Sequence, residues 1–125
     1  MLCRIGSLIP LSAVMKNKFA CAFNGLAEGW KHRSVRIQYI LALLAVTAGM
    51  IMRLSLLEWA IVIVCIGCVV TAEMLNTCVE KICDMYTEKK DERVRVIKDI
   101  AAGAVLASSL CAFGAAIMIL IRHIV

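Results

Sequence analysis

The sequence predicts an all-α integral membrane protein: three transmembrane helices preceded by an N-terminal amphipathic surface helix. Two observations predict the spans. Of the 125 residues, 62% are hydrophobic and the mean hydropathy is +0.90, against an apolar share of about 45–50% in ordinary soluble domains. That excess is gathered into three long blocks separated by charged stretches, and a membrane span needs about 20 mostly apolar residues. The surface helix rests on a third observation, the helical spacing of apolar residues between positions 12 and 35. A helix is the default for each span, because lipid offers backbone N–H and C=O groups no partners outside the segment.

Taken in order, residues 1–11 are expected to form a tail. They carry Arg4 and Pro10 and have neither an uninterrupted apolar core nor a small-residue cleavage site, so they do not read as a cleaved signal. Residues 12–35 carry Phe19, Ala22, Phe23, Leu26 and Trp30 at helical spacing, with Lys16, Lys18, Lys31 and Arg33 around them. One apolar face with basic residues elsewhere suits a helix lying in the membrane interface. The first block, Ile37 to Met52, is short for a span and places a first transmembrane helix at about 36–53. The second is expected over about 56–84 and the third over about 98–122. No repeats or low-complexity linkers divide the chain, so 12–125 reads as one domain.

The net charge is +5. It does not mark a nucleic-acid binder, since no basic face is interleaved with aromatics. It is instead asymmetric along the chain. The N-terminal side has Arg4, Lys16, Lys18, Lys31, Arg33 and Arg36, and the segment between blocks two and three has Lys81, Lys89, Lys90, Arg93, Arg95 and Lys98. The first loop has only Arg53, and the C-terminus Arg122. Basic loops stay inside, so the N-terminus and the second loop are expected to be cytoplasmic. Three spans make that pattern self-consistent. The seven cysteines are odd in number; Cys65, Cys68, Cys78 and Cys111 lie in apolar blocks and read as small apolar residues. The CxxC of Cys65 and Cys68 has no second Cys or His pair to complete a zinc site.

The chemistry is concentrated in TAEMLNTCVEKICD, residues 71–84. Glu73 directly follows a fully apolar run, where an ionisable residue is expensive and therefore a functional candidate. Glu80 and Asp84 follow seven and eleven residues later. At about 100° per residue those offsets return to within roughly 20° of the direction of Glu73. Asn76 and Thr77 lie one turn along the same side. Carboxylates aligned this way repel unless compensated, and a divalent cation shared with phosphate oxygens is a natural compensator. Lys98, beside Asp99, is the other candidate, since a cation near a transferring phosphoryl group neutralises developing charge. On their own, Glu80 and Asp84 also read as solvated helix-end residues, and Lys81 and Lys98 as interfacial lysines.

The pattern ExxNTxxExxxD, followed at a distance by KDxAAGAVL, resembles the prokaryotic diacylglycerol kinase family, which includes undecaprenol kinases. It is carried by Glu73, Asn76, Thr77, Glu80 and Asp84, then by Lys98, Asp99 and the run Ala101–Leu106. The resemblance extends over roughly residues 19–121 and includes AFNGLxxG and the pair Arg36–Ile37. It implies a homotrimer in a bacterial inner membrane, with active sites between subunits at the cytoplasmic face and no nucleic-acid partner. It implies transfer of the γ-phosphate of ATP, with Mg²⁺, to a membrane lipid hydroxyl, in phospholipid or cell-envelope lipid-carrier metabolism. By resemblance, Glu73 is the general base and meets the lipid hydroxyl, and Asn76 helps to position it. Glu80 binds Mg²⁺ and through it ATP, Lys98 and Asp99 contact the nucleotide, and Lys89, Lys90 and Asp91 correspond to a loop that touches ATP.

Two features depart from the family pattern. An acidic residue expected shortly before the RI pair, the second protein ligand to the metal, is missing: the chain reads Trp30-Lys31-His32-Arg33-Ser34-Val35-Arg36-Ile37, one residue shorter. Glu28, one turn before His32, is the carboxylate that can substitute. His32 can also ligate, but neutral imidazole is a poor Mg²⁺ ligand, which favours an interfacial role for it. In the second loop a YH-like pair is replaced by Lys90-Asp91. These departures keep a catalytically degenerate membrane scaffold as an alternative, and a lone membrane carboxylate at Glu73 keeps a small transporter. The wording KDIAAGAVL leans towards the undecaprenol kinases rather than diacylglycerol kinases.

Overall fold

The computed structural model describes residues 11–125; the expected N-terminal tail lies almost wholly outside them. Four helices follow one another: α1 (Leu11–Gly29), α2 (Arg33–Met52), α3 (Leu56–Tyr86) and α4 (Glu92–Ile124). The last three are long and apolar enough to cross a membrane. Because the connections are short, α2, α3 and α4 run alternately up and down. One end of the bundle gathers the start of α2, the end of α3 and the start of α4. The opposite end gathers the other three termini.

α3 is the central element, packed against α4 along much of its length and against α2 less extensively. The reason is periodic. On α2 the less exposed residues include Val35, Tyr39, Ala42, Val46 and Gly49, and on α4 they include Val94, Lys98, Ala101, Val105, Ser108 and Ala112. Both sets step by alternate fours and threes, the signature of helices crossing at a shallow angle. The outward faces are apolar and exposed, with Leu43, Ile51, Ile63, Leu106 and Met118 among them. A soluble protein would hide such residues; a span presents them to lipid.

The segment expected as one surface helix is broken. α1 ends at Gly29, and Trp30, Lys31 and His32 make a turn closed by backbone hydrogen bonds to Ala27, Glu28 and Gly29. Gly29 is buried because α2 approaches it closely. A Cβ there would stand 2.7 Å from the Tyr39 hydroxyl and 3.0 Å from Val35 Cγ1. The Tyr39 hydroxyl donates to the Leu26 carbonyl (2.8 Å), an acceptor that the end of α1 leaves unpaired. Trp30 stacks on Tyr39 with ring centroids 6.4 Å apart.

The far end is tied by a carboxylate. Ser55 and Glu58 form a reciprocal capping box at the start of α3, which satisfies two orphan donors of the first turn. Glu58, 4% exposed, also accepts from Arg122 (3.0 Å) and pairs with His123 (3.1 Å) at the end of α4. The Ser55-x-x-Glu58 signature was present in the sequence; its partners 64 and 65 residues away were not. Cys65, Cys68, Cys78, Cys83 and Cys111 are free thiols. Cys21 is disulfide-bonded.

Gly29→Ala should destabilise the α1–α2 elbow by roughly 1–3 kcal/mol, the usual range for overpacking, measured by thermal unfolding in detergent micelles. Adding Tyr39→Phe removes the nearest clashing atom, so the double variant should recover part of that loss. Strict additivity would show that the Tyr39 hydroxyl is not what Gly29 accommodates.

Candidate active site

The polar residues of α3 divide by depth. Glu73 and Asn76 lie on its buried face, 6% and 9% exposed, in the same stripe as Val69 and Cys83. Glu80 and Asp84 lie one and two turns further on and are exposed. The helix turns the Glu73 face towards the bundle, since an unpaired polar group facing hydrocarbon costs several kcal/mol.

Hydrogen bonds link the row. Asn76 Nδ2 donates to Glu80 Oε1 (3.3 Å), and the Thr77 hydroxyl donates back to the Glu73 carbonyl (3.0 Å). Asn76 Oδ1 is buried with no hydrogen-bond partner, and among the described residues nothing donates to the Glu73 carboxylate. A buried amide oxygen without a partner, beside a buried carboxylate, is unusual in a folded chain.

At the end of α3 the bundle opens into a cleft of about 530 Å³. One wall is Thr77, Glu80, Lys81 and Asp84; the other is His32, Arg33, Ser34 and Ile37, from the elbow and first turn of α2. Lys98 reaches across from α4 to Asp84 (2.7 Å). The structure thus brings Glu80, Asp84 and Lys98 to one end of the bundle, a short distance along α3 from Glu73 and Asn76. Asp99 is turned to Arg95 (2.7 Å), which also holds Glu92.

The second loop lies at this same end. The Lys89 N–H donates to the Thr87 hydroxyl (3.1 Å), and the side chains of Lys89 and Lys90 are exposed. Asp91 caps α4 by accepting from the Arg93 N–H (2.8 Å). The Arg93 side chain, followed by that backbone donor, holds the Asp91 carboxyl below the usual range. Glu28 is not in the cleft wall. It pairs with Lys31 (2.8 Å), which lowers its pKa, and His32 and Lys81 lower it further, so it stands near the rim.

The family description of prokaryotic diacylglycerol kinases matches residues 20–120, which takes in the elbow, the α3 row and the Lys98 segment. The chain belongs to the prokaryotic diacylglycerol kinase family. It is 32% identical over 94 residues to the undecaprenol kinase of Bacillus subtilis (strain 168), covering 71% of this chain and 76% of that protein. No solved structure matches. Membership makes the chain a membrane lipid kinase, an enzyme that moves a phosphoryl group from a nucleotide to a lipid. Among the described residues, no three carboxylate, imidazole or thiol groups converge tightly enough to hold a metal unaided. Glu80 and Asp84 are the two carboxylates on the cleft wall.

Sequence reasoning counted Arg33 only as a basic residue and Ile37 only as the start of an apolar block and part of the RI pair, and gave Ser34 no role. No local pattern marks them, because facing α3 depends on the elbow at Gly29.

Asp91 offers a direct pH test. Its depressed pKa means that its capping contribution is present above the ordinary carboxylate range and lost as pH falls through the lowered value. The Arg93 amide resonance should therefore titrate with a midpoint below that range. In Asp91→Asn, which still accepts the hydrogen bond, it should not titrate; an unchanged profile would assign the effect to another group.

Proposed function

We propose that this lipid kinase transfers the γ-phosphate of MgATP to the hydroxyl of a membrane lipid, with Glu73 as general base and Glu80 as the carboxylate that binds the metal. The observation that carries the reading is the buried Glu73 with the unpartnered Asn76 Oδ1 beside it, next to an open cleft lined by Glu80 and Asp84, with Lys98 bonded to Asp84 from α4.

The lipid hydroxyl enters between Glu73 and Asn76. Glu73 takes its proton as the lipid oxygen bonds to the γ-phosphorus, and the bond to the bridging oxygen breaks to release ADP. Asn76, braced on Glu80, orients the hydroxyl, and such positioning supplies much of the acceleration in phosphoryl transfer. Lys98 exchanges Asp84 for a phosphate oxygen; solvent-exposed ion pairs are weak, so the exchange is cheap. Lys89, Lys90, Asp91 and Asp99 contribute to nucleotide binding from the same end. Mg²⁺ at Glu80, with Glu28 as a further ligand once it releases Lys31, would neutralise the phosphates.

An apolar groove of about 390 Å³ supports a lipid acceptor. It is lined by α2, α3 and α4, includes Leu41, Val62, Ala112 and Phe113, and reaches Val69 and Val70, one turn from Glu73. An aliphatic chain lying in it presents its polar end at Glu73. Undecaprenol is the favoured acceptor over diacylglycerol, from the KDIAAGAVL wording and the similarity to an undecaprenol kinase. The assembly in this reading is a homotrimer with shared sites in the bacterial cell membrane, the N-terminus and second loop cytoplasmic as the basic residues indicate.

Glu73→Gln should abolish turnover while leaving nucleotide binding largely intact. Glu80→Ala should raise the requirement for both Mg²⁺ and ATP. Both are measured with purified protein, MgATP and each lipid in mixed micelles. Near-full rate in Glu73→Gln would remove it as the base, and phosphorylation of diacylglycerol alone would overturn the choice of lipid.

A further inference from the structure

The two ends of the apolar groove differ. Towards the cleft it reaches Gln38 on α2 and Val70 on α3. That end lies close to the Glu73 turn, because the hydroxyl of Tyr39, next to Gln38, is 3.8 Å from Met74 Sδ. Towards the opposite end the lining stops at Ile61 on α3 and Ile119 on α4. The next turn of α3 carries Glu58, and the next turn of α4 carries Arg122 and His123. Glu58 is buried and holds both, Arg122 at 3.0 Å and His123 at 3.1 Å. These positions continue the lining stripes: Glu58, Val62, Cys65 and Val69 on α3, and Ala112, Ala116, Ile119 and His123 on α4, step by threes and fours. The α2 side of the same end is closed by Trp59. A Cβ on Gly49 would stand 2.8 Å from its ring and 2.9 Å from Leu54 Cδ1. Glu58 and Trp59, about 100° apart around α3, therefore serve its two neighbours.

We infer that the Glu58–Arg122–His123 cluster, with Trp59 beside it, is the floor of the acceptor groove and sets the longest hydrocarbon tail that this kinase holds inside its bundle. The inference rests on the reading that the groove takes the tail of the lipid whose hydroxyl meets Glu73. A tail reaching the floor meets a carboxylate already satisfied by two cationic partners and a capping box. Hydrocarbon cannot replace those bonds, and separating a buried ion pair leaves an uncompensated charge, so the tail does not push through. Glu58 precedes Glu73 by fifteen residues, roughly 22 Å along the helix at about 1.5 Å per residue. A longer tail leaves through the open side of the groove into the membrane and gains no further contact with the protein.

The test uses the full-length protein in mixed micelles with isoprenoid alcohols of graded length, each carrying a diazirine at the end of its tail, and reads the photo-cross-linked positions by mass spectrometry. As the tail lengthens, the label should move along α3 and α4 away from Glu73 and stop at the turn of Ile61 and Ile119. Longer probes should label outward residues such as Ile63 and Met118, which are exposed. With the unlabelled alcohols and MgATP, kcat/KM should rise over the same lengths and level off where the label stops. In the triple variant Glu58→Gln, Arg122→Ala, His123→Ala, where glutamine keeps the capping box, the levelling-off should shift to longer tails. Ala116→Trp, which fills the groove above the floor, should shift it to shorter tails and lower kcat/KM for the longest by roughly tenfold or more, the scale of a few methylenes misplaced in an apolar pocket. A label that passes Glu58 in the unsubstituted protein, or a length profile that the triple variant leaves unmoved while Ala116→Trp shifts it, overturns the floor and leaves the groove as the tail site. Labels confined to outward faces at every length, with the alcohols still phosphorylated, overturn the groove and the floor together.

Discussion

The structure depends on how α3 carries charge through an apolar span. A helix in lipid satisfies its own backbone but not its side chains, and a carboxylate at membrane depth must be covered by protein. α3 meets this by placing Glu73 and Asn76 in its packed stripe, with Val69 before them and Cys83 after. Everything nearby follows from keeping that stripe covered. α4 presents Ala101, Ser108 and Ala112 on its less exposed face, and small residues let helix backbones come close where no hydrophobic effect drives them together. α2 contributes Tyr39, whose hydroxyl donates to the Leu26 carbonyl of α1 and lies 3.8 Å from Met74 Sδ on α3.

The two ends of the bundle are treated differently. At one, Glu58 is surrounded by a capping box, Arg122 and His123, so α3 and α4 are fastened where nothing has to enter. At the other, the charged groups are exposed and joined in weak pairs: Lys98 with Asp84, Arg95 with Asp99, Lys31 with Glu28. Solvated pairs of that kind exchange partners easily. An arrangement closed at one end and exchangeable at the other suits an enzyme whose lipid substrate arrives from the membrane and whose nucleotide arrives from water.

Family membership gives the class of reaction, and the proposed division of labour within it rests on local geometry. A deep unsatisfied carboxylate and amide are suited to a hydroxyl, and a shallow cleft of mixed charge is suited to phosphates and a cation. The elbow at Gly29 connects the two, because it aims His32, Arg33 and Ser34 at the cleft.

Much of this was legible in the chain itself. Three apolar blocks sufficed for three spans, because membrane thickness sets their length and lipid forces them to be helical. The 3.6-residue period put Glu73, Asn76, Glu80 and Asp84 on one side of one helix, a local relation that needs no knowledge of neighbours. Tertiary structure alone decided what lies opposite. The break at Gly29 depends on the approach of Tyr39 and Val35, the pairing of Lys98 with Asp84 depends on the α3–α4 crossing, and the clamp on Glu58 depends on residues at the far end of the chain. Periodicity orders side chains along one helix, but a facing wall is set by packing between helices distant in sequence.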